Sequence, residues 1–388
     1  MMPAMDPPEC RWRYYAESPV SAGSPAVAPD GTVIVHADDG FVHALAPEGD
    51  VIWKSRIGFP LRSAPTPAIG RNLILTCIEP GQLVALDFDG SVVWRLPGDL
   101  IIQSPPTLLA DDSVLVSSSY QSAARGRANS LLAFDRDGAV LWTKTLDDSV
   151  FEPPSVCSDG SIVAGTDRGA LVKLAVDGTT LCTAELGLGF ASSPIVGIDD
   201  EVITSTYSGR LYCLSSSFEI RWAFSIGEHC IYSEAVVDAD GTVYVSASNR
   251  RTYAISRSGA LVWRFAKPLG LGSAPAVARS GMVYVGSRDH HLYAIDPSGY
   301  LEWVMRTDGA VVGSPAIPAS GGVVSCLATG EVAWFEDDNL GVSPSPWPLP
   351  RGGSGRRGAA ATTDAGAATQ SNEARTSHAP EYRSVRGD

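Results

Sequence analysis

An all-β fold is predicted, an eight-bladed β-propeller of four-stranded antiparallel blades closed by the N-terminal strand, and three observations predict it. A Ser/Ala-Pro-like marker recurs at Ser24-Pro25, Ala64-Pro65, Ser104-Pro105, Pro153-Pro154, Ser193-Pro194, Ser233-Glu234, Ala274-Pro275 and Ser314-Pro315, in steps of 40, 40, 49, 40, 40, 41 and 40 residues. A tryptophan column keeps nearly the same step: Trp12, Trp53, Trp94, Trp142, then Cys182 in its place, Trp222, Trp263 and Trp303. Four short strand signals fill each period, and a period of about 40 residues holding four strands is that of a propeller blade.

The elements follow in chain order. Arg11–Tyr15 carries the first tryptophan but precedes the first marker, so it has no blade of its own and completes the last one. That closure removes sheet edges that would template aggregation. Within the units, Asp-Gly and Ser-Gly pairs (Asp30-Gly31, Asp89-Gly90, Asp137-Gly138, Asp240-Gly241, Ser258-Gly259, Ser298-Gly299) supply the positive φ that tight antiparallel turns need. The seventh unit shows the pattern in full, with strands at 274–278, 282–287, 291–296 and 301–306. The third carries an insertion, Ser117 to Asn129, that explains its longer step and maps to a loop. The eighth supplies 314–317, 322–326 and 331–335 and then loses the pattern. Residues 11–342 are therefore read as the propeller. Residues 343–388 are read as a proline-rich strap, extended on the surface, and a disordered Gly/Ala/Ser/Arg tail too poor in large apolar side chains to offset its ordering entropy.

Composition narrows the function. Hydrophobic residues at 44% and charged residues at 19%, with 39 Gly and 27 Pro, exclude a disordered chain, a coiled coil and a polytopic membrane protein. The formal charge is −14, and six Arg against four acids beyond residue 350 leave −16 on the rest. An acidic body repels phosphate backbones and anionic lipid, so no nucleic acid and no membrane is expected as partner, and basic or neutral partners fit better. The seven cysteines are scattered, odd in number and without a CxxC pair, as in reduced thiols. With neither an apolar signal region nor an apolar run long enough to span a bilayer, a cytoplasmic monomer is expected.

Units such as Ser273 to Trp303, SAPAVARSGMVYVGSRDHHLYAIDPSGYLEW, resemble the PQQ-like (quinoprotein-type) repeat. That repeat builds eight-bladed propellers in BamB-like proteins and in quinoprotein alcohol dehydrogenases, and the similarity runs over about residues 11 to 336. It implies the fold, with the tryptophans docking between blades. The quinone cofactor of those dehydrogenases is not expected here: their site uses two adjacent cysteines, and no two cysteines are adjacent in this chain. No cofactor is expected.

The resemblance also implies that ligands meet the loops leading into the inner strands and the turns between second and third strands, which form one funnel face. Regular units place small residues in the lead-in loops; Arg62, Gln103 and Glu152 depart from that, as does the sixth unit with His229, Tyr232 and Glu234, where Glu234 replaces the marker proline. Carboxylates crowded near an axis can act as general acid or base, with His229 sharing protons and Tyr232 donating to an oxyanion. Glu152, Glu234, His229 and Tyr232 are thus the candidate catalytic set of a cofactor-independent lyase, cyclase or isomerase. Alternatively they cap strand ends in a wet channel. The turns add Tyr120, Tyr207, Arg250, Arg288, Asp289 and His290, which with Arg62 and Gln103 are candidate contacts to a substrate or partner. Adjacent strand residues such as His290 and His291 point to opposite faces, and the Asp-x-Asp-Gly segments lack a calcium loop's terminal acid, so no metal site is expected. The leading expectation is a binding module that holds a protein or a small molecule at its funnel face.

Overall fold

The computed structural model describes residues 6–353 apart from 21–22, 61–65, 97–99, 103, 123–125, 188, 191, 226–232, 268–272 and 340. Eight antiparallel blades form a ring. Blade one is typical, with Ala26–Val27 innermost, then Val33–His36, Phe41–Leu45 and Val51–Arg56 outermost. In all eight blades the ladder shifts register near the end of the third strand, as between Ala44 and Leu45, between Cys213 and Leu214, and between Ala294 and Ile295. Such a bulge strengthens the twist that a propeller blade needs. The first three strands of blade one are almost wholly buried, whereas its outer strand alternates between exposed and half-buried. Blades pack face to face: Ile34, Val42 and Ala44 of blade one share a core with Ile69, Ile74 and Val84 of blade two. Each large aliphatic side chain buried there contributes about 1.5–3 kcal/mol.

Closure follows the predicted route. Cys10–Tyr15 pairs with Glu331–Phe335, setting Trp12 opposite Trp334 and Tyr15 opposite Glu331. In blade three the insertion lengthens the second and third strands into a hairpin, Val114–Ser122 and Gly126–Phe134.

The tryptophan column and the glycine turns are one mechanical joint. Outer-strand indoles donate to a carbonyl in a turn of the next blade, as Trp12 to Pro47 (2.9 Å), Trp53 to Phe88 (2.7 Å), Trp222 to Arg257 (2.8 Å) and Trp263 to Pro297 (3.1 Å), while Trp303 donates to Asp337 Oδ2 (2.8 Å). The glycine of that turn has positive φ, and a Cβ on Gly299 would stand 2.5 Å from Trp263. Both the conformation and the close approach therefore require glycine. Where Cys182 interrupts the tryptophan column, the partner turn carries Phe218 at φ +69° in place of glycine, and Phe218 is buried in the core against which Cys182 packs. Lys173, the cross-strand neighbour of Cys182, donates to Ser216 O at 3.1 Å and so takes over the indole's hydrogen bond.

The segment after residue 335 departs from expectation. Instead of lying on the surface, the strap is buried: Trp347 and Leu349 are 1% and 0% exposed. It runs along the inner strands of blades seven and six, with Ser343 N donating to Val277 O (3.1 Å), Val237 N to Trp347 O (2.7 Å) and Val277 N to Pro348 O (2.9 Å). Prolines suit this path because strap carbonyls do much of the pairing and need no strap N–H. The tail from 354 on lies outside the described residues.

Candidate functional site at the funnel face

At the axis, the strap delivers Arg351 among the inner-strand starts. Arg351 Nη2 donates to Pro106 O and to Thr107 Oγ1 (3.3 Å) in blade three, while its backbone N–H donates to Glu234 Oε1 of blade six at 2.5 Å. Glu234 Oε1 also accepts from Trp347 Nε1 at 2.8 Å. The residue that breaks the proline marker is therefore the receptor for the strap. Arg351 is 6% exposed, and burial lowers its pKa to about 10 although Glu234 and Glu152 oppose the shift; it stays charged at neutral pH. Burial and the neighbouring Glu234 charge push the Glu152 carboxyl up, against a 3.3 Å hydrogen bond from Ser193 Oγ. Burial likewise pushes the Cys77 thiol up to about 12, leaving it inert as a nucleophile. The structure thus brings Glu152 and Glu234 to one site, with a cation between blades three and six.

Of the other candidates, Arg62, Gln103, His229 and Tyr232 lie outside the described residues, as does the side chain of Tyr120, whose backbone pairs with Ala128 in the blade-three hairpin. Tyr207 is half exposed on its turn, held by a hydrogen bond from its N–H to Gly189 O (2.9 Å). On the blade-two side, exposed Phe59 and Ile101 flank the turn Glu79–Gly81: Glu79 N donates to Phe59 O (2.9 Å) and Ile102 N to Gly81 O (2.8 Å). Phe151 is exposed on the loop leading into blade four.

Arg250, Arg288, Asp289 and His290 gather on the turns of blades six and seven. In blades one, two, four, five and eight the last turn residue is a positive-φ glycine (Gly40, Gly81, Gly169, Gly209, Gly330), but Arg250 and His290 hold that place at φ +67° and +65°. Left-handed backbone costs a residue with a Cβ about 1–2 kcal/mol. Asp289 Oδ2 accepts from Tyr293 OH at 2.7 Å, and Oδ1 lies 3.4 Å from His291 Nδ1. Beneath them Lys267 is 4% exposed, its N–H donating to Arg250 O (2.9 Å) while its Nζ has no hydrogen-bond partner among the described residues. Burial lowers that ammonium's pKa to about 8.

The sequence reading missed Lys267, Trp347 and Arg351. Lys267 lies four residues after Trp263, where other blades carry Ile57, Leu146, Leu186 and Thr307, so its charge is the departure in that column. Arg351 has no counterpart in any unit and left no such signal. Among the described residues no cluster of His, Cys, Asp and Glu is arranged to hold a metal ion, and no helix is long and apolar enough to cross a membrane.

Comparison with known proteins adds the following. The model of the family described as outer membrane protein assembly factor BamB matches residues 4–129 and 253–343, and that of the lambda-carrageenase β-propeller domain matches residues 161–262. Among solved structures, BamB from Moraxella catarrhalis superposes with a TM-score of 0.68 at 17% identity, covering 85% of this chain and 98% of its own. Sqt1 from Saccharomyces cerevisiae gives 0.70 at 11% identity, covering 86% and 100%. The quinohemoprotein alcohol dehydrogenase from Comamonas testosteroni gives 0.67 at 14% identity, covering 86% and 78%. No curated protein matches. At these identities the superpositions establish the fold.

Proposed function

Because the chain belongs to the PQQ-like repeat family described as outer membrane protein assembly factor BamB, we propose that it is a protein-binding propeller whose partner docks on the funnel face. One observation carries this reading: the chain's own strap reaches the inner-strand starts, with Arg351 spanning blades three and six and Glu234 consumed as its anchor. Glu234 and Arg351 are thereby committed to the strap. The rim of the funnel face exposes Phe59, Ile101, Phe151 and Tyr207, and large side chains displayed on turns over a rigid scaffold are the usual anchors of a protein interface.

The test is site-specific photo-crosslinking from Phe59, Phe151 and Tyr207, compared with the outer-strand positions Ile52 and Leu141. The reading requires that one protein is captured from the funnel positions and that it binds the purified chain more weakly after Phe59→Ser with Tyr207→Ser. Capture confined to the outer strands, or undiminished binding by the double variant, overturns it. A second reading, acid/base chemistry on a small molecule, draws on the raised carboxyl of Glu152 beside Ser193 Oγ. It requires that Glu152→Gln abolish turnover of the molecule bound.

A further inference from the structure

Four arginines of blades six and seven stand out on a body of net charge −16. Arg250, Arg251, Arg288 and Arg306 are all exposed, and among the described residues none of them makes an ion pair. Exposed arginines without an ion pair among the described residues also occur singly in other blades, as Arg56 and Arg210; here Arg250, Arg251 and Arg288 sit on or directly after the turns of two neighbouring blades. Arg251 lies opposite Ala266 in its ladder and His291 opposite Arg306, so these side chains belong to adjoining strands of two neighbouring blades. The one carboxylate among them, Asp289, is engaged by Tyr293 and faces His291. Under this surface lies the Lys267 Nζ, buried and without a hydrogen-bond partner among the described residues. A cation is held there where blades one and four carry Ile57 and Leu186 and blade seven carries Thr307, its desolvation offset only in part by the Asp289 charge.

The backbone points the same way. Two turns keep Arg250 and His290 in the left-handed region where five other blades use glycine, so side chains are retained at the expense of stability. On these grounds we propose that the turns of blades six and seven form the recognition site for an acidic, extended segment of the partner protein. The exposed guanidinium groups would take its carboxylates, and Lys267 would take the one that penetrates deepest. This rests on the protein-binding reading above and adds the chemistry of the partner.

Charge range favours a short acidic segment over a long polyanion. Screening confines the attraction of the arginines to about 8 Å at physiological salt, so a compact acidic segment feels the patch while a long polyanion also meets the acidic body. Guanidinium forks match carboxylate geometry.

Fluorescence anisotropy with a labelled peptide of about ten residues alternating Glu and Gly, which can lie extended across both turns, tests the site. Saturable binding is expected, weakening as salt rises from about 50 to about 200 mM. The informative variant is Arg250→Gly with His290→Gly, which restores the glycines of the other blades. It is expected to melt no lower than the parent and to bind about tenfold more weakly or worse. Lys267→Leu, which places there the side chain that blade four carries at Leu186, is expected to keep the fold and weaken binding as well. Absence of saturable binding, equal binding of a Lys-Gly peptide, or undiminished affinity in the glycine variant overturns the proposal, as does binding of dextran sulfate in place of the Glu-Gly peptide. Undiminished affinity in Lys267→Leu removes Lys267 from the site. If the peptide fails while crosslinking from Phe59 and Tyr207 succeeds, only the partner chemistry is wrong; the reverse result sinks the docking face at Phe59 and Tyr207 instead.

Discussion

Trp347 Nε1 donates to Glu234 Oε1 at 2.8 Å, and the Arg351 N–H reaches the same oxygen at 2.5 Å. One carboxylate oxygen of blade six thereby anchors a strap more than a hundred residues downstream. Removing the acceptor by Glu234→Ala leaves two donors at a buried segment without it and should cost about 1–3 kcal/mol. Hydrogen exchange reads the effect directly, as faster exchange of the amides at 343–352. Parent-like protection there means that the carboxylate is not what holds the strap.

The exchange of Trp and Gly for Cys182 and Phe218 makes a double-mutant test. Phe218→Gly empties a core position and should destabilise by about 3–5 kcal/mol, the range for large-to-small aromatic changes. Adding Cys182→Trp rebuilds the joint of the other blades and should recover part of that loss. Chemical denaturation of the four proteins gives the coupling; strictly additive effects show that the two positions do not share one space.

Acid sensitivity is expected from His36. Its Nε2 donates to Gly58 O at 2.9 Å, so Nδ1 accepts from Thr76 Oγ1 at 2.9 Å and the ring is held neutral. Burial lowers its pKa to about 4. The unfolded chain takes up this proton first as pH falls, so the stability present above about 6.5 is lost between there and about 4, at up to about 1.4 kcal/mol per pH unit. Thermal melting from pH 7 to 4.5 should show that slope, and a His36→Gln variant should flatten it. A parent profile as flat as the variant's excludes His36 as the cause.

Glu152 works in the opposite sense. Its raised carboxyl makes the folded state the better proton binder, so its favourable contribution is present below the ordinary carboxylate pKa and is lost as pH rises through the folded value. Glu152→Gln should therefore be more stable than the parent at pH 7 and gain little near pH 4. A variant less stable at pH 7 shows that the ionised carboxylate is favourably held, most directly by Arg351.

What could be read without coordinates was whatever recurs. Eight markers, the tryptophan column and the glycine turns follow from local φ preference and from one packing joint used again and again, so their period announced the blade count and the closure that sets Trp12 opposite Trp334. Glu234 was visible as a departure from that pattern, and Arg250 and His290 as candidate contacts on the turns, but not their meaning. Glu234 is explained only by Trp347 and Arg351, a contact made once between distant segments, and single contacts leave no periodic trace. The juxtaposition of Lys267 with Arg250 and Asp289 was decided by how adjoining blades pack, because charge and burial at those turns depend on neighbours that belong to different units.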